Sequence, residues 1–192
     1  MSIISTTKMT SRQFLELGED PPGIHLELVN GEIALSPSAT PLHSHIVLGL
    51  GSILLEFIKQ QGLGHVYYDV NTIFGEHDVL RPDLIYFQKS RLHLVGEKAL
   101  EGPPDLCVEV LSPSSVVIDR KDKFKQYQKG GVNFYWIVDP KANTIEAFKL
   151  SRGKYVSAGK GKGAEVVKLP PFEELRIPLM ELWADGSKNA RP

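Results

Sequence analysis

DLCVEVLSPSSVVIDRKDKFKQYQKGGVNFYWIVD, residues 105–139, reads as strand, helix, strand, and the rest of the chain is organised around it. In DLCVEVL, Leu106, Val108 and Val110 share one face, while Cys107, Glu109 and Leu111 share the other. Both faces are apolar apart from Glu109, the pattern of a central strand covered on both sides. A helix is predicted from about Ser114 to Lys129, ended by Gly130-Gly131. NFYWIVD, residues 133–139, reads as a second buried strand.

Upstream, HLELVNGEIAL carries Asn30-Gly31 between two alternating runs, a strong hairpin signal. It predicts strands His25–Val29 and Glu32–Ser36. A short helix over Thr10–Leu17, capped by Thr10, precedes it. A long helix is predicted over Pro41–Gln61, with Thr40 as cap, Pro41 in the first turn, and Ile46, Leu50, Ile53, Leu54, Phe57 and Ile58 on its core face. HVYYDVNTIF (65–74) and RPDLIYF (81–87) read as strands, and Gln88–Pro104 as a loop with one helical turn. TIEAFKL and KYVSA form a hairpin around Ser151–Lys154. Gly159–Gly163 reads as a mobile hairpin loop, and the tail from Pro170 as short and Pro-interrupted. These elements imply a mixed β-sheet flanked by helices, α/β or α+β in class, with an N-terminal hairpin and a C-terminal β-hairpin. Residues 1–24 are an N-terminal helix and linker, 25–150 the core, and 151–192 a hairpin and tail of the same domain.

At 192 residues and 42% hydrophobic content the chain can bury one core. Cys107 is the sole cysteine, which excludes an internal disulfide and, inside an apolar run, suggests a small buried hydrophobe. Met1–Met9 has no signal-peptide pattern, and no apolar run is read as approaching membrane-spanning length, so a cytoplasmic protein without membrane contact is expected. A formal charge of −1 argues against a surface that grips DNA all over, but not against a local basic patch facing an acidic site. There is no G-x-x-x-x-G-K-[ST] phosphate loop and no paired C-x-x-C, and His43 and His45 cannot form an i, i+4 metal pair.

The chemistry is concentrated in acids placed where acids are costly. Glu109 interrupts a doubly apolar strand, and Asp83 shares a strand face with Ile85 and Phe87. A shared cation accounts for both, and oxygen ligands of this kind suit Mg²⁺ or Mn²⁺. Each acid also has a plainer explanation: Asp83 can bond a turn after Pro82, and Glu109 can pair with a core Arg or Lys. On the following helix, Val116, Arg120, Lys123, Phe124 and Tyr127 form one stripe facing the sheet. Lys123 can act there on water and phosphate, or merely pack its stem on the sheet.

These residues carry a family resemblance. GPPDLCVEVLSPSSVVIDRKDKFKQYQKGGVNFYWIVDP, with LELVNGEI, SPSATPLHSHIVLGL and VLRPDLIYF, resembles the Uma2 (DUF820) family of restriction-endonuclease-like proteins within the PD-(D/E)xK nuclease superfamily. The resemblance covers about His25 to Leu150. It implies a restriction-endonuclease-like core and a metal-dependent endonuclease that hydrolyses nucleic acid, DNA in the first instance. It implies Asp83 and Glu109 as catalytic metal ligands for Mg²⁺ or Mn²⁺, with the carbonyl of Val110 as a third ligand. Leu111 stands where the superfamily pattern has lysine, so the resemblance moves that role to Lys123. Glu27, Glu32, His43, Asp119 and Tyr127 are accessory candidates, Asp119 and Tyr127 as groups orienting Lys123. Glu27 and Glu32 can equally be solvent-facing hairpin residues, and His43 can touch phosphate or cap its helix. Arg81 and Arg120 are expected to hold the nucleic-acid backbone. A homodimer, with NFYWIVD near its interface, is a further expectation of the resemblance. The competing expectations are a non-catalytic nuclease fold that binds nucleic acid or a partner, and a hydrolase of smaller phosphate esters.

Overall fold

Asn30 and Gly31 adopt φ of 51° and 82°, the left-handed pair that a two-residue hairpin turn requires. The computed structural model describes residues 8–22, 24–36, 39–112 and 118–183. The turn joins β1 (His25–Val29) to β2 (Glu32–Ser36), and Asn30 N–H is held by Asp78 Oδ1 at 2.8 Å. Before them, α1 (Ser11–Leu15) starts on a capping box between Thr10 and Gln13. After them, α2 (Pro41–Gln61) is capped by Thr40 and closed by Gly62 in the left-handed conformation.

The remaining strands are β3 (Gly64–Tyr67), β4 (Thr72–Gly75), β5 (Asp78–Leu80), β6 (Leu84–Gln88), β7 (Leu100–Glu101), β8 (Leu106–Val110), β9 (Phe134–Asp139), β10 (Thr144–Ser151), β11 (Lys154–Lys162), β12 (Val166–Leu169) and β13 (Phe172–Pro178). Between β8 and β9, a π-helical turn over Ile118–Lys123 runs into α3 (Phe124–Gly130). The expected helix start at Ser114, and Val116 of the expected stripe, lie outside the described residues.

The expected mixed-sheet core flanked by helices is present, an α+β fold, and its strands are divided among several sheets. One sheet has the order β2-β1-β5-β4-β7, a second β11-β10-β9-β8-β6-β3, and β12 pairs with β13. HVYYDVNTIF supplies strands to both large sheets. It breaks after Tyr67, and Asp69 takes a left-handed φ of 48°. Arg81 gathers that corner, its Nε on Asp69 Oδ1 at 3.0 Å. Alternation alone cannot reveal such a break, because both halves carry the same β-type residues.

Face by face, the second sheet separates two cores. Leu84, Tyr86, Leu106, Val108, Val110 and Trp136 pack with Ile46, Leu50, Leu54 and Ile58 of α2. Cys107, Leu111, Tyr135 and Ile137 pack with Tyr127 of α3. Cys107 is fully buried, and desolvation holds its thiol well above its ordinary pKa. β9 lies between β8 and β10 with Tyr135, Trp136, Ile137 and Val138 buried, so its apolarity serves the core and not a free edge at an interface.

Three further expectations are corrected. Gln88–Pro104 contains a 3₁₀-helix, Lys89–Leu94, and the short β7. Gly159–Gly163 is not a loop: Gly159 and Gly161 lie within β11, paired to β10. The tail is the ordered β12–β13 pair, whose Val167, Leu169, Phe172, Leu175 and Ile177 join the α2-side core. A Cβ on Gly161 would meet Val167 Cγ1 at 2.2 Å, so the glycine admits this layer. Gly161→Ala is expected to cost about 1–3 kcal/mol by overpacking. A urea denaturation midpoint equal to wild type would refute that close fit.

α2 also departs from the sequence reading. With 21 residues it is long and apolar enough to cross a membrane by length and composition. Its stripe Ile46, Leu50, Leu54 and Ile58 is buried on the sheet, as a core helix requires. Its other side carries Leu48 and Leu55, 72% and 53% exposed.

Candidate active site

β6 and β8 are antiparallel, with Leu84 opposite Val108. Extending that register by one step sets Asp83 opposite Glu109, on the α3 side of the sheet. Pro82, just ahead of Asp83, has no N–H to donate, and β6 begins only at Leu84. The Asp83 carboxylate takes over where the ladder ends: its Oδ2 accepts the Val110 N–H at 2.7 Å. The same oxygen lies 3.0 Å from His43 Nε2, which arrives from the first turn of α2.

Glu109 is 2% exposed. Its Oε1 accepts from Lys123 Nζ at 3.1 Å and from the Tyr127 hydroxyl. Lys123, 6% exposed, also lies 3.5 Å from Glu27 Oε1. Glu27 in turn accepts the Arg81 N–H at 2.8 Å. The lysine therefore stands between two buried carboxylates, an arrangement stable only because both signs are present and hydrogen-bonded. Burial, and then the Glu109 carboxylate, push the Tyr127 hydroxyl well above its ordinary pKa. It stays protonated and donates.

Each of these side chains has a definite place in the cluster. Lys123 turns its ammonium inward and does not snorkel. Glu109 has the core lysine that its plainer explanation asked for, and that lysine is Lys123. Glu27 is buried, not solvent-facing. Thr40 Oγ1 accepts the His43 N–H at 3.2 Å, so the threonine is the cap and the imidazole is left to meet Asp83. Tyr127 bonds Glu109 directly, a correction to its expected role on Lys123. The Asp119 side chain lies outside the described residues.

Glu32 does not join the cluster. It pairs with Val29 at the turn end of the hairpin, whereas Glu27 pairs with Ala34 two residues along, about 7 Å away in strand rise. Glu32 is exposed there. Arg81 and Arg120 are engaged by carboxylates: Arg81 by Asp20 at 2.5 Å and Asp69 at 3.0 Å, Arg120 by Glu146 at 2.7 Å and Asp139 at 3.5 Å. These ion pairs give the guanidinium groups structural work and lend no support to phosphate contact.

Two features escaped the sequence reading. The contact of His43 with Asp83 joins residues forty positions apart through helix placement, and no spacing announces it. Asp105 is a further buried acid on β8's approach, but Arg91 at 3.0 Å and the Gln88 N–H at 2.9 Å satisfy it completely as a structural group.

A cavity of about 1260 Å³ opens over the cluster, lined by Glu27, His43, Asp83, Glu109, Val110 and Lys123 among others. Among the described residues no three His, Cys, Asp or Glu side chains converge as a closed metal cage. The donor set is of another kind: two facing carboxylates on one cavity wall beside the Val110 backbone. It fits Mg²⁺ or Mn²⁺, which keep several waters and need few protein ligands, better than a caged structural metal.

The family model described as "Putative restriction endonuclease" matches residues 11–180. The chain belongs to the Uma2 family. Among solved structures, a protein of Anabaena variabilis ATCC 29413 described as "a putative nuclease belonging to DUF820" has the same fold, with a TM-score of 0.76 at 23% sequence identity. The alignment covers 91% of this chain and 97% of that one. No curated relative matches the chain. In this Uma2 member, the family match spans every element that brings Glu27, His43, Asp83, Glu109 and Lys123 together.

Proposed function

We propose that this Uma2 protein is a Mg²⁺-dependent endonuclease that hydrolyses phosphodiester bonds of DNA. The observation that carries the proposal is Asp83 facing Glu109 across β6 and β8, with the Lys123 ammonium 3.1 Å from Glu109 at the floor of one open cavity. Membership of a family described as "Putative restriction endonuclease" supports the same reaction class, and the fold is shared with a DUF820 protein.

Asp83 and Glu109, with the Val110 carbonyl, would hold the ion. When bound, Mg²⁺ activates water and polarises the phosphate. Lys123 directs its protons toward water and phosphate oxygens and offsets the charge that builds on phosphorus. Glu27, 3.5 Å from the ammonium, helps to aim the lysine. His43 and the Val110 N–H fix the Asp83 carboxylate from one side, leaving its orientation set before substrate arrives. Water would add to phosphorus and give up a proton to solvent, the bond to the departing sugar oxygen would break, and that oxygen would take up a proton and leave as a hydroxyl, so no covalent protein intermediate is required.

A closed circular plasmid incubated with the protein and Mg²⁺ or Mn²⁺ is expected to be nicked or linearised, and excess chelator is expected to stop the reaction. Lys123→Met should slow cleavage by about 10²–10³-fold, the scale of losing one charged catalytic group. The non-catalytic alternative draws on the ion pairs that occupy Arg81 and Arg120. Calorimetry with Mg²⁺ separates the two: no binding heat together with no cleavage would leave only a binding scaffold.

A further inference from the structure

Lys123 stands between carboxylates from two different sheets. Glu109 lies on β8 of the second sheet and Glu27 on β1 of the first. The two seats are not equal. Nζ is 3.1 Å from Glu109 Oε1, a hydrogen bond, and 3.5 Å from Glu27 Oε1, an ion pair too long for a good one. Glu27 is fixed in place: β1 pairs with β2 along its whole length, and Oε1 accepts the Arg81 N–H at 2.8 Å. Tyr127 also donates to Glu109 Oε1, and it is fully buried, packed edge-to-face on Tyr135 with Phe74 alongside. Of these two donors, the lysine is the one with a second carboxylate in reach. Its flexible four-carbon stem and three rotatable donors let an ammonium change partners, whereas a guanidinium is held to a fixed fork.

We propose that Lys123 has two working seats: its ammonium holds Glu109 until a divalent cation is bound there, and then moves onto Glu27. The proposal rests on the metal-dependent reading above, which makes Glu109 a ligand. It gives Glu27 a role of its own, as the positioning residue that receives the lysine. Each carboxylate oxygen offers about two lone-pair sites, and Glu109 Oε1 already accepts from two donors. A cation on Oε1 displaces one of them. A cation on Oε2 would stand beside the ammonium, and like charges among side chains this buried repel strongly. Movement to Glu27 relieves both conflicts and keeps the ammonium paired, as its burial requires. The charge balance agrees. Asp83, Glu109 and Glu27 set three carboxylates against the one ammonium of Lys123 along the same cavity, an excess of negative charge that a divalent cation offsets.

Titration calorimetry with Mg²⁺ on the full chain tests this through affinity. Lys123→Met is expected to bind Mg²⁺ about tenfold more tightly than wild type, although it cleaves more slowly, and Glu27→Gln about tenfold more weakly. In the double variant the effect of Glu27→Gln should shrink to within about twofold, because Glu27 then has no lysine to receive. An equal loss in both backgrounds would make Glu27 a ligand or a distant charge and overturn the proposal. So would Lys123→Met binding no better than wild type. Circular dichroism checks that each variant keeps its fold. The wild type supplies a test free of substitutions. In crystals soaked with Mn²⁺, located by anomalous scattering, Nζ is expected within hydrogen-bond distance of Glu27 and out of reach of Glu109. An ion on Glu109 with Nζ still at 3.1 Å refutes the two seats, and so does the failure of any ion to bind Glu109. Mg²⁺-dependent cleavage with Lys123 unmoved leaves the hydrolase reading standing and removes this one. The expected order of affinities without any cleavage does the reverse.

Discussion

Glu109→Ala is expected to abolish cleavage and to lower unfolding stability by about 3–5 kcal/mol. Both effects have one source. Glu109 is 2% exposed, and its Oε1 receives the Lys123 ammonium and the Tyr127 hydroxyl. Removing the carboxylate leaves a cation and a phenol in the core, with Glu27 at 3.5 Å as an anion still beside the lysine. A buried charge stripped of its nearest partner costs far more than the pair contributes when intact. Glu109→Gln is expected to be milder in stability, because an amide oxygen still accepts from Tyr127, yet equally inactive, because the charge is gone. Chemical denaturation read alongside plasmid cleavage separates the two consequences. Wild-type stability in Glu109→Ala would mean that Lys123 finds solvent, contrary to its burial.

The second large effect is expected at Asp83, with the opposite balance. Asp83→Asn keeps an oxygen for the Val110 N–H and an amide of the same shape beside His43, so the ladder end and the α2 contact survive. Stability should fall by no more than about 1 kcal/mol. Cleavage should fall by about 10³-fold, since loss of one of the two proposed anionic ligands would remove several kcal/mol of charge stabilisation. Titration calorimetry should show weaker Mg²⁺ binding at the same time. Full activity in Asp83→Asn would remove the residue from the site and reduce it to the strand-end hydrogen bond it makes to Val110.

The contrast between these two acids follows from their positions. Glu109 lies on β8 between β6 and β9 and is 2% exposed, so its loss strips two buried donors of their acceptor. Asp83 sits one residue before its strand and lines the cavity, with a side chain 20% exposed. In the proposed reaction one is tied to the core and the chemistry together, the other mainly to the chemistry.

Much of this organisation is local and therefore legible in the chain itself. Asn30-Gly31 specifies its hairpin because both residues tolerate positive φ, and β1 and β2 begin and end where alternation places them. Thr40 and Pro41 start α2, Gly62 ends it, and its 3.6-residue stripe names the face that is buried. The unease of Glu109 in a doubly apolar strand is likewise readable from period alone, and period also puts Lys123 on the sheet-facing stripe, but whether its ammonium turns inward is not. Tertiary structure decided what period cannot express. Only packing shows that HVYYDVNTIF serves two sheets, that β12 and β13 cover the α2-side core, and that the helix before α3 is wound as a π turn. Only packing takes Arg81 and Arg120 into ion pairs, leaves Glu32 at the hairpin tip, and brings His43 to Asp83. Hydrogen bonding along one element depends on near neighbours, whereas the meeting of side chains from α2, β1, β8 and α3 depends on how whole faces dock. In that docking the facing of Asp83 and Glu109 becomes a site.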